Sequence, residues 1–298
     1  MQRNRFKLMC LFVMFCVPFA GLCHRSLQSV TLSTQTSNLE ISSQQKHVKN
    51  IFYNVPSPLV VSNILRAMDL PYNPDLLNSV SNAENYLTQA DMAINTGIFG
   101  ADLCYIRIYQ QYQDAARYLA ALKGLTQQLG IPEEEKRISV KRLEENIQNQ
   151  DSLVNIISQI YSNSNSYLKE NDRGGTAALI IFGGWVETLY LATNILDPQN
   201  PRKELVELIL QQKHSIRNMI GLLNQYPKEK RISELLPHLK ELQHKFNEVR
   251  NRKKNIPSVQ KTPGKTVIRN KSKYKASPEF LKEIKDLNNK LRDIMVQR

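Results

Sequence analysis

Hydrophobic residues recur along most of this chain with the period of a helix, but one stretch is apolar nearly all round. Residues 176–194 read TAALIIFGGWVETLYLATN, and none from 176 to 186 is charged. A helix that is hydrophobic on every face belongs inside a bundle or in a membrane. A membrane span needs about 20 apolar residues. Glu187 and the stop at Asp197-Pro198 cut this run short. It therefore reads as the central buried helix of a soluble helical domain. Gly183 and Gly184 each cost roughly 1 kcal/mol in a helix interior. That cost is explained if a neighbouring backbone approaches closely there.

Around this segment the periodicity predicts helices over 58–69, 75–93, 98–129, 133–148, 151–170, 175–196, 202–224, 233–249 and 278–296. In 202–224, Leu205, Leu208, Ile209, Ile216, Met219, Ile220 and Leu223 share one side. In 233–249, Leu235, Leu239, Leu242, Phe246 and Val249 do the same. Proline in the first helical position marks several starts, at Ser57-Pro58, Asn73-Pro74, Asn200-Pro201 and Ser277-Pro278. Gly130-Ile131-Pro132 ends one helix and begins another. No stretch alternates like a strand. The expected fold is all-α, a multi-helix bundle over residues 51–249 with a tethered C-terminal helix over 277–298.

A weak internal repeat accompanies the pattern. Tyr86-Leu87, Asp91 and Ile98-Phe99-Gly100-Ala101 correspond to Tyr167-Leu168, Asp172 and Ile181-Phe182-Gly183-Gly184. A duplication of helix pairs would make 98–129 and 175–196 counterparts that cross near their glycines.

The N-terminus reads as an export signal over residues 1–23. Arg3, Arg5 and Lys7 precede an uncharged run over 8–23, a length that suits a signal peptide. Two readings of its end stand. Gly21 and Cys23 occupy small-residue positions before a cleavage site, or Ala20-Gly21-Leu22-Cys23 is a degenerate lipobox with Cys23 as the lipidated residue. The periplasm or cell envelope is the expected location. Cys10, Cys16 and Cys23 all fall in this segment and leave only Cys104 beyond it. That excludes a disulfide framework. Residues 24–50 are rich in Ser, Thr and Gln and read as a flexible leader.

The net charge of +13 is unevenly placed. Residues 46–226 carry 16 Lys/Arg and 18 Asp/Glu, whereas residues 228–298 carry 20 Lys/Arg and 8 Asp/Glu. A connector over 250–276 holds ten Lys/Arg and no acid. Arg252, Lys253, Lys254, Lys271, Lys273 and Lys275 are its candidate polyanion contacts, toward an anionic membrane surface. Tyr274 is its only aromatic residue, which serves base stacking poorly and makes nucleic acid an unfavoured partner. In the final helix Phe280, Ile284, Leu287, Leu291 and Ile294 are spaced four and three apart, as in a coiled-coil seam. Two heptads do not hold a free helix in water. This helix must dock on its own domain, on a second copy or on a partner.

Motifs for chemistry are scarce. No HExxH, paired CxxC or Asp-rich calcium loop occurs, so no metal site and no cofactor are expected. Gly264-Lys265-Thr266 lacks the earlier glycine of a P-loop. The remaining candidates surround the central helix: Asp102, Tyr105, Trp185, Glu187 and Tyr190. One reading is a cleft with aromatic walls, in which two carboxylates fix a ligand. The other is a core in which the carboxylates pair with Arg107, Arg117 or Arg173. A carboxylate pair also admits glycoside hydrolysis. The balance favours a non-catalytic envelope protein that binds a ligand or partner. A structural protein assembling through 278–296 is the alternative, and a hydrolase follows it.

Several phrases carry a family resemblance: Tyr53-Asn54-Val55-Pro56-Ser57-Pro58, Gly100-Ala101-Asp102-Leu103, Asn149-Gln150-Asp151-Ser152-Leu153, Tyr167-Leu168-Lys169-Glu170-Asn171, and Gly183-Gly184-Trp185-Val186-Glu187-Thr188-Leu189-Tyr190. From about residue 52 onward the chain resembles a family of uncharacterised exported helical proteins, often lipoprotein-like, of Bacteroidetes-type bacteria. The resemblance implies export and an all-helical fold and brings no known activity. The family commonly has an acid two places after Pro-Ser-Pro, where this chain has Leu59-Val60. If that acid serves a site, this chain lacks it.

Overall fold

The computed structural model describes residues 70–131, 166, 168, 170–248 and 276–297, together with the backbone of 258–262 and 265–269. The expected signal segment, leader and helices at 58–69 and 133–148 lie outside the described residues, as does most of 151–170. Six α-helices are described: α1 (Gln89–Ile108), α2 (Tyr112–Gln128), α3 (Gly174–Ile195), α4 (Lys203–Leu223), α5 (Lys230–Asn247) and α6 (Pro278–Val296). The all-helical bundle expected from the pattern is present.

The helix expected over 75–93 is not continuous. Two short 3₁₀ turns, Pro74–Leu76 and Val80–Asn85, precede α1. Thr88 caps α1 by accepting from the Asp91 N–H at 3.1 Å, while its hydroxyl donates to Asp91 Oδ2 at 2.7 Å. That reciprocal cap fixes the start of the helix. The expected single helix over 98–129 is divided as well. Gln110 adopts φ 56°, which turns the chain between α1 and α2. The end of α2 matches expectation. Ile131 N–H bonds to Thr126 O at 3.1 Å and Gly130 N–H to Gln127 O at 2.8 Å, a Schellman closure. α5 begins at Lys230, one turn earlier than the pattern indicates.

α3 is the hub. It is long and apolar enough to cross a membrane, with a mean hydropathy of 1.4, yet 72% of that window is buried inside the domain. α1 lies along it in the same direction. Arg173 Nη2 donates to Gln89 Oε1 at 2.9 Å near the helix starts, and Asp102 neighbours Glu187 further on. Between these points the backbones touch. A β-carbon on Gly183 would sit 2.0 Å from Ile94 O, and one on Gly97 would sit 2.0 Å from Ile180 O. The contact is reciprocal, Ile94-x-x-Gly97 against Ile180-x-x-Gly183. Close approach therefore explains Gly183, as its cost suggests. Its counterpart is Gly97, one turn before the Gly100 of the sequence repeat.

α4 packs back on α3, and α5 returns along α4. α6 runs antiparallel to α5, with Arg231 near Ile294 at one end and Lys245 paired with Glu283 at the other. Leu281, Ile284, Leu291 and Met295 of α6 are buried. Each such burial contributes about 1.5–3 kcal/mol. The C-terminal helix thus docks on its own domain. Its buried stripe is shifted from the expected seam, and Phe280, Leu287 and Ile294 are only partly covered.

The basic connector is not featureless. Its backbone forms an antiparallel hairpin of β1 (Ser258–Thr262) and β2 (Lys265–Arg269), with Ser258 opposite Arg269 and Thr262 opposite Lys265. Pro263 and Gly264 stand between the two strands in the sequence.

Candidate functional site: a buried carboxylate pair under the C-terminal helix

The parallel packing of α1 and α3 sets Asp102 beside Glu187, and both are 0% exposed. Two bare carboxylates cannot share a dry interior without compensation. α6 supplies it. Arg292 Nε donates to Glu187 Oε2 at 2.9 Å and Nη2 donates to Oε1 at 3.1 Å, a bidentate pair. The same guanidinium lies 4.2 Å from the Tyr190 ring centroid and donates to Leu76 O at 3.4 Å.

Asp102 Oδ2 accepts the Asn78 N–H at 3.1 Å. Its Oδ1 finds no N–H or O–H donor among the described residues. The Glu187 carboxylate beside it can share a hydrogen bond only if one acid holds a proton. Burial first, and then the Glu187 charge, push Asp102 well above the usual carboxylate range. Burial also raises Glu187, against the opposing pull of Arg292. Burial works against the Arg292 charge, but Glu187 outweighs it and holds the guanidinium above its ordinary value. The consistent assignment is a neutral Asp102 donating to an ionised Glu187, which is neutralised by Arg292.

Further polar groups lock the end of α6. The last carbonyls of a helix lack intrahelical donors. Here Arg231 Nη2 donates to Ile294 O at 2.7 Å, Asn95 Nδ2 to Met295 O at 3.1 Å, and Tyr86 OH to Val296 O at 3.3 Å. Asn78 links this set to the carboxylates, because its Nδ2 donates to Tyr86 OH at 2.9 Å and to Asn95 Oδ1 at 3.2 Å. Arg231 also pairs with Asp91 at 3.1 Å. Midway along α6, Asn288 Nδ2 donates to Val186 O at 3.3 Å.

Of the five residues singled out in the sequence, the structure joins Asp102, Glu187 and Tyr190. Trp185 faces α4, where its Nε1 donates to Gln212 Oε1 at 3.0 Å. Tyr105 belongs to a tyrosine cluster, with ring centroids 5.7 Å from Tyr72 and 5.0 Å from Tyr109. Its hydroxyl accepts the Asn73 N–H at 3.1 Å. The expected arginine partners are also elsewhere. Arg107 lies against Tyr112, Arg117 pairs with Asp114, and Arg173 donates to Leu129 O and Gln89. Arg292, Asn78 and Asn95 were not expected in the cluster. The signal for Arg292 was its position in the apolar stripe of α6, between Leu291 and Met295.

Cys104 is buried, and burial pushes its thiol up to about 12, so it is not poised as a nucleophile. Among the described residues no group of three His, Cys, Asp or Glu side chains could hold a metal ion. Cys23 and the polyanion candidates Arg252, Lys253, Lys254, Lys271, Lys273 and Lys275 lie outside the described residues.

An ion pair sealed from water, with its two acids held by Arg292, Asn78 and each other, serves to join three helices. No protein-family model, curated protein or solved structure matches this chain.

Proposed function

We propose that this chain is a non-catalytic protein of the cell envelope, whose helical bundle binds a ligand or protein partner at its surface. One observation carries the non-catalytic part. The only carboxylate pair that the sequence offered for hydrolysis is fully buried and held by Arg292 and Asn78. A general acid or base must reach its substrate directly or through one water. These two acids do neither. The exported location rests on the N-terminal basic and apolar pattern. Assembly of copies through α6 has less support, because its apolar face packs within its own domain.

On the bundle surface a groove of about 720 Å³ runs beside α6, lined by Arg231, Asp286, Asn289, Lys290, Asp293, Ile294 and Gln297. Native mass spectrometry of the full chain, recovered gently from the envelope fraction, tests the proposal. A bound mass that is lost on denaturation supports it. Recovery only from the cytosol, or hydrolytic activity removed by Asp102→Asn, overturns it.

A further inference from the structure

The ionisable groups sealed under α6 do not balance. Asp102 and Glu187 are both fully buried, and Arg292 is the guanidinium that meets them. One cation neutralises one carboxylate, so the seated helix closes over one retained proton. That proton has a place, between Asp102 Oδ1, which meets no other donor among the described residues, and the neighbouring Glu187.

The groups around the pair cannot stand in for the proton. Asn78 offers Asp102 one backbone N–H. α1 brings Cys104 toward Asp102, and α2 brings Tyr118. The 3₁₀ segment brings Tyr86, α3 brings Tyr190, and α6 itself brings Asp293. Asp293 is an acid, and a Cys or Tyr that loses its proton only adds negative charge. Arg231, a second cation near this end of α6, is taken up by Asp91 and Glu234.

The walls of the joint are held in different ways. α1 and α3 meet backbone to backbone at Gly97 and Gly183, about one turn before the two acids. α6 closes the remaining side through its side chains and last carbonyls. Arg292 reaches Glu187 and the Leu76 carbonyl, and Asn288 reaches the Val186 carbonyl. Arg231, Asn95 and Tyr86 hold the carbonyls of Ile294, Met295 and Val296. Lifting α6 brings water to both acids and leaves the glycine crossing in place.

We infer that α6 is a proton-locked latch, which seats with uptake of one proton by the Asp102–Glu187 pair and is released as that proton is lost with rising pH. Burial and the Glu187 charge hold Asp102 well above the usual carboxylate range while α6 is seated, and burial lapses when it lifts. A carboxyl raised in the closed state stabilises that state fully below its open-state value, about 4, and the contribution is lost as pH rises through the closed-state value. Across that window the hold on α6 weakens by up to about tenfold per pH unit. Release uncovers the apolar stripe of Leu281, Ile284, Leu291 and Met295 together with its seat. The latch is a property of the fold and does not depend on the envelope assignment.

Hydrogen exchange of the full chain, read by mass spectrometry from about pH 5 to about pH 8 and corrected for the intrinsic pH dependence of amide exchange, tests the latch. Peptides from α6 should lose protection by about tenfold or more over that range, ahead of those that cover the glycine crossing of α1 and α3. In Asp102→Asn, which keeps a donor and an acceptor but has no proton to lose, α6 protection should stay level. Level protection of α6 in the parent, an equal fall in Asp102→Asn, a fall in step with α1 and α3, or a fall confined to residues 74–86 overturns the inference. The parent alone separates α6 from the crossing, so the inference stands or falls even where Asp102→Asn fails to fold.

Discussion

Arg292 reaches across 105 residues of sequence to grip Glu187 with two hydrogen bonds, and Asp102 neighbours the same carboxylate. The two acids are neighbours in space with different charges. Substitutions should expose that difference. Glu187→Gln leaves Arg292 buried without a counter-charge and should cost about 3–5 kcal/mol. Asp102→Asn keeps an acceptor for the Asn78 N–H and a donor toward Glu187, and at about pH 4, before the unfolded chain gives up the Asp102 proton, should change stability by less than about 1 kcal/mol. Urea unfolding of the two variants checks this, and equal losses would refute the assigned protonation.

The same assignment fixes a pH dependence. Asp102 is raised well above its ordinary 3.8 in the fold. A carboxyl raised by folding contributes stability that is fully present below its unfolded value and is lost as pH rises through the folded value. The native state keeps the proton while the unfolded chain releases it. The stability of the parent relative to Asp102→Asn should therefore fall as pH rises above about 4. Melting temperatures of both proteins across the acid-to-neutral range give the comparison, and parallel curves would contradict it.

The glycine crossing yields a contrast among alanine substitutions. Gly97→Ala and Gly183→Ala each place a β-carbon 2.0 Å from a carbonyl oxygen of the facing helix. Neither backbone can give without separating α1 from α3. Overpacking of this kind costs about 1–3 kcal/mol or more. A β-carbon added at Gly124 in α2 would meet nothing within 4 Å, so Gly124→Ala should stabilise by about 0.5–1 kcal/mol. Thermal melts should therefore fall for the first two variants and rise for the third.

Removing residues 277–298 takes away Arg292 and uncovers Glu187, Asn95 and the face covered by Leu281 and Ile284. The truncated chain should lose cooperative unfolding by calorimetry. A truncated chain that melted like the parent would show that α6 is dispensable to the bundle.

The helices most legible in the sequence were those with capped ends and a clear stripe. α6 was placed at both ends, because Ser277 accepts from the Phe280 N–H and Pro278 follows it. α3 was legible from its uniform apolarity, and Gly183 from its cost in a helix. The break at Gln110 was hidden, since neither glycine nor proline marks it and a left-handed glutamine leaves no trace in composition. The hairpin was hidden because its strands are short and mix Lys, Thr and Val with no clean alternation. Asp102, Glu187 and Tyr190 were identified together, under two readings: a cleft whose carboxylates fix a ligand, or a core whose carboxylates pair with Arg107, Arg117 or Arg173. The burial of Arg292 was readable from its place in the apolar stripe between Leu291 and Met295, but the acid it pairs with was not. Tertiary pairing over such a separation leaves no local signature.

The ion pair also sets an order of events during synthesis. Glu187 leaves the ribosome 105 residues before Arg292. At about 5–20 residues per second, several seconds pass in which the carboxylates have no counter-charge to fold around. Asn95 and Tyr86 wait longer still, 200 and 210 residues ahead of the carbonyls they bind. The bundle is therefore completed after α6 emerges, and its nascent chain stays open to any machinery that handles unfolded polypeptides.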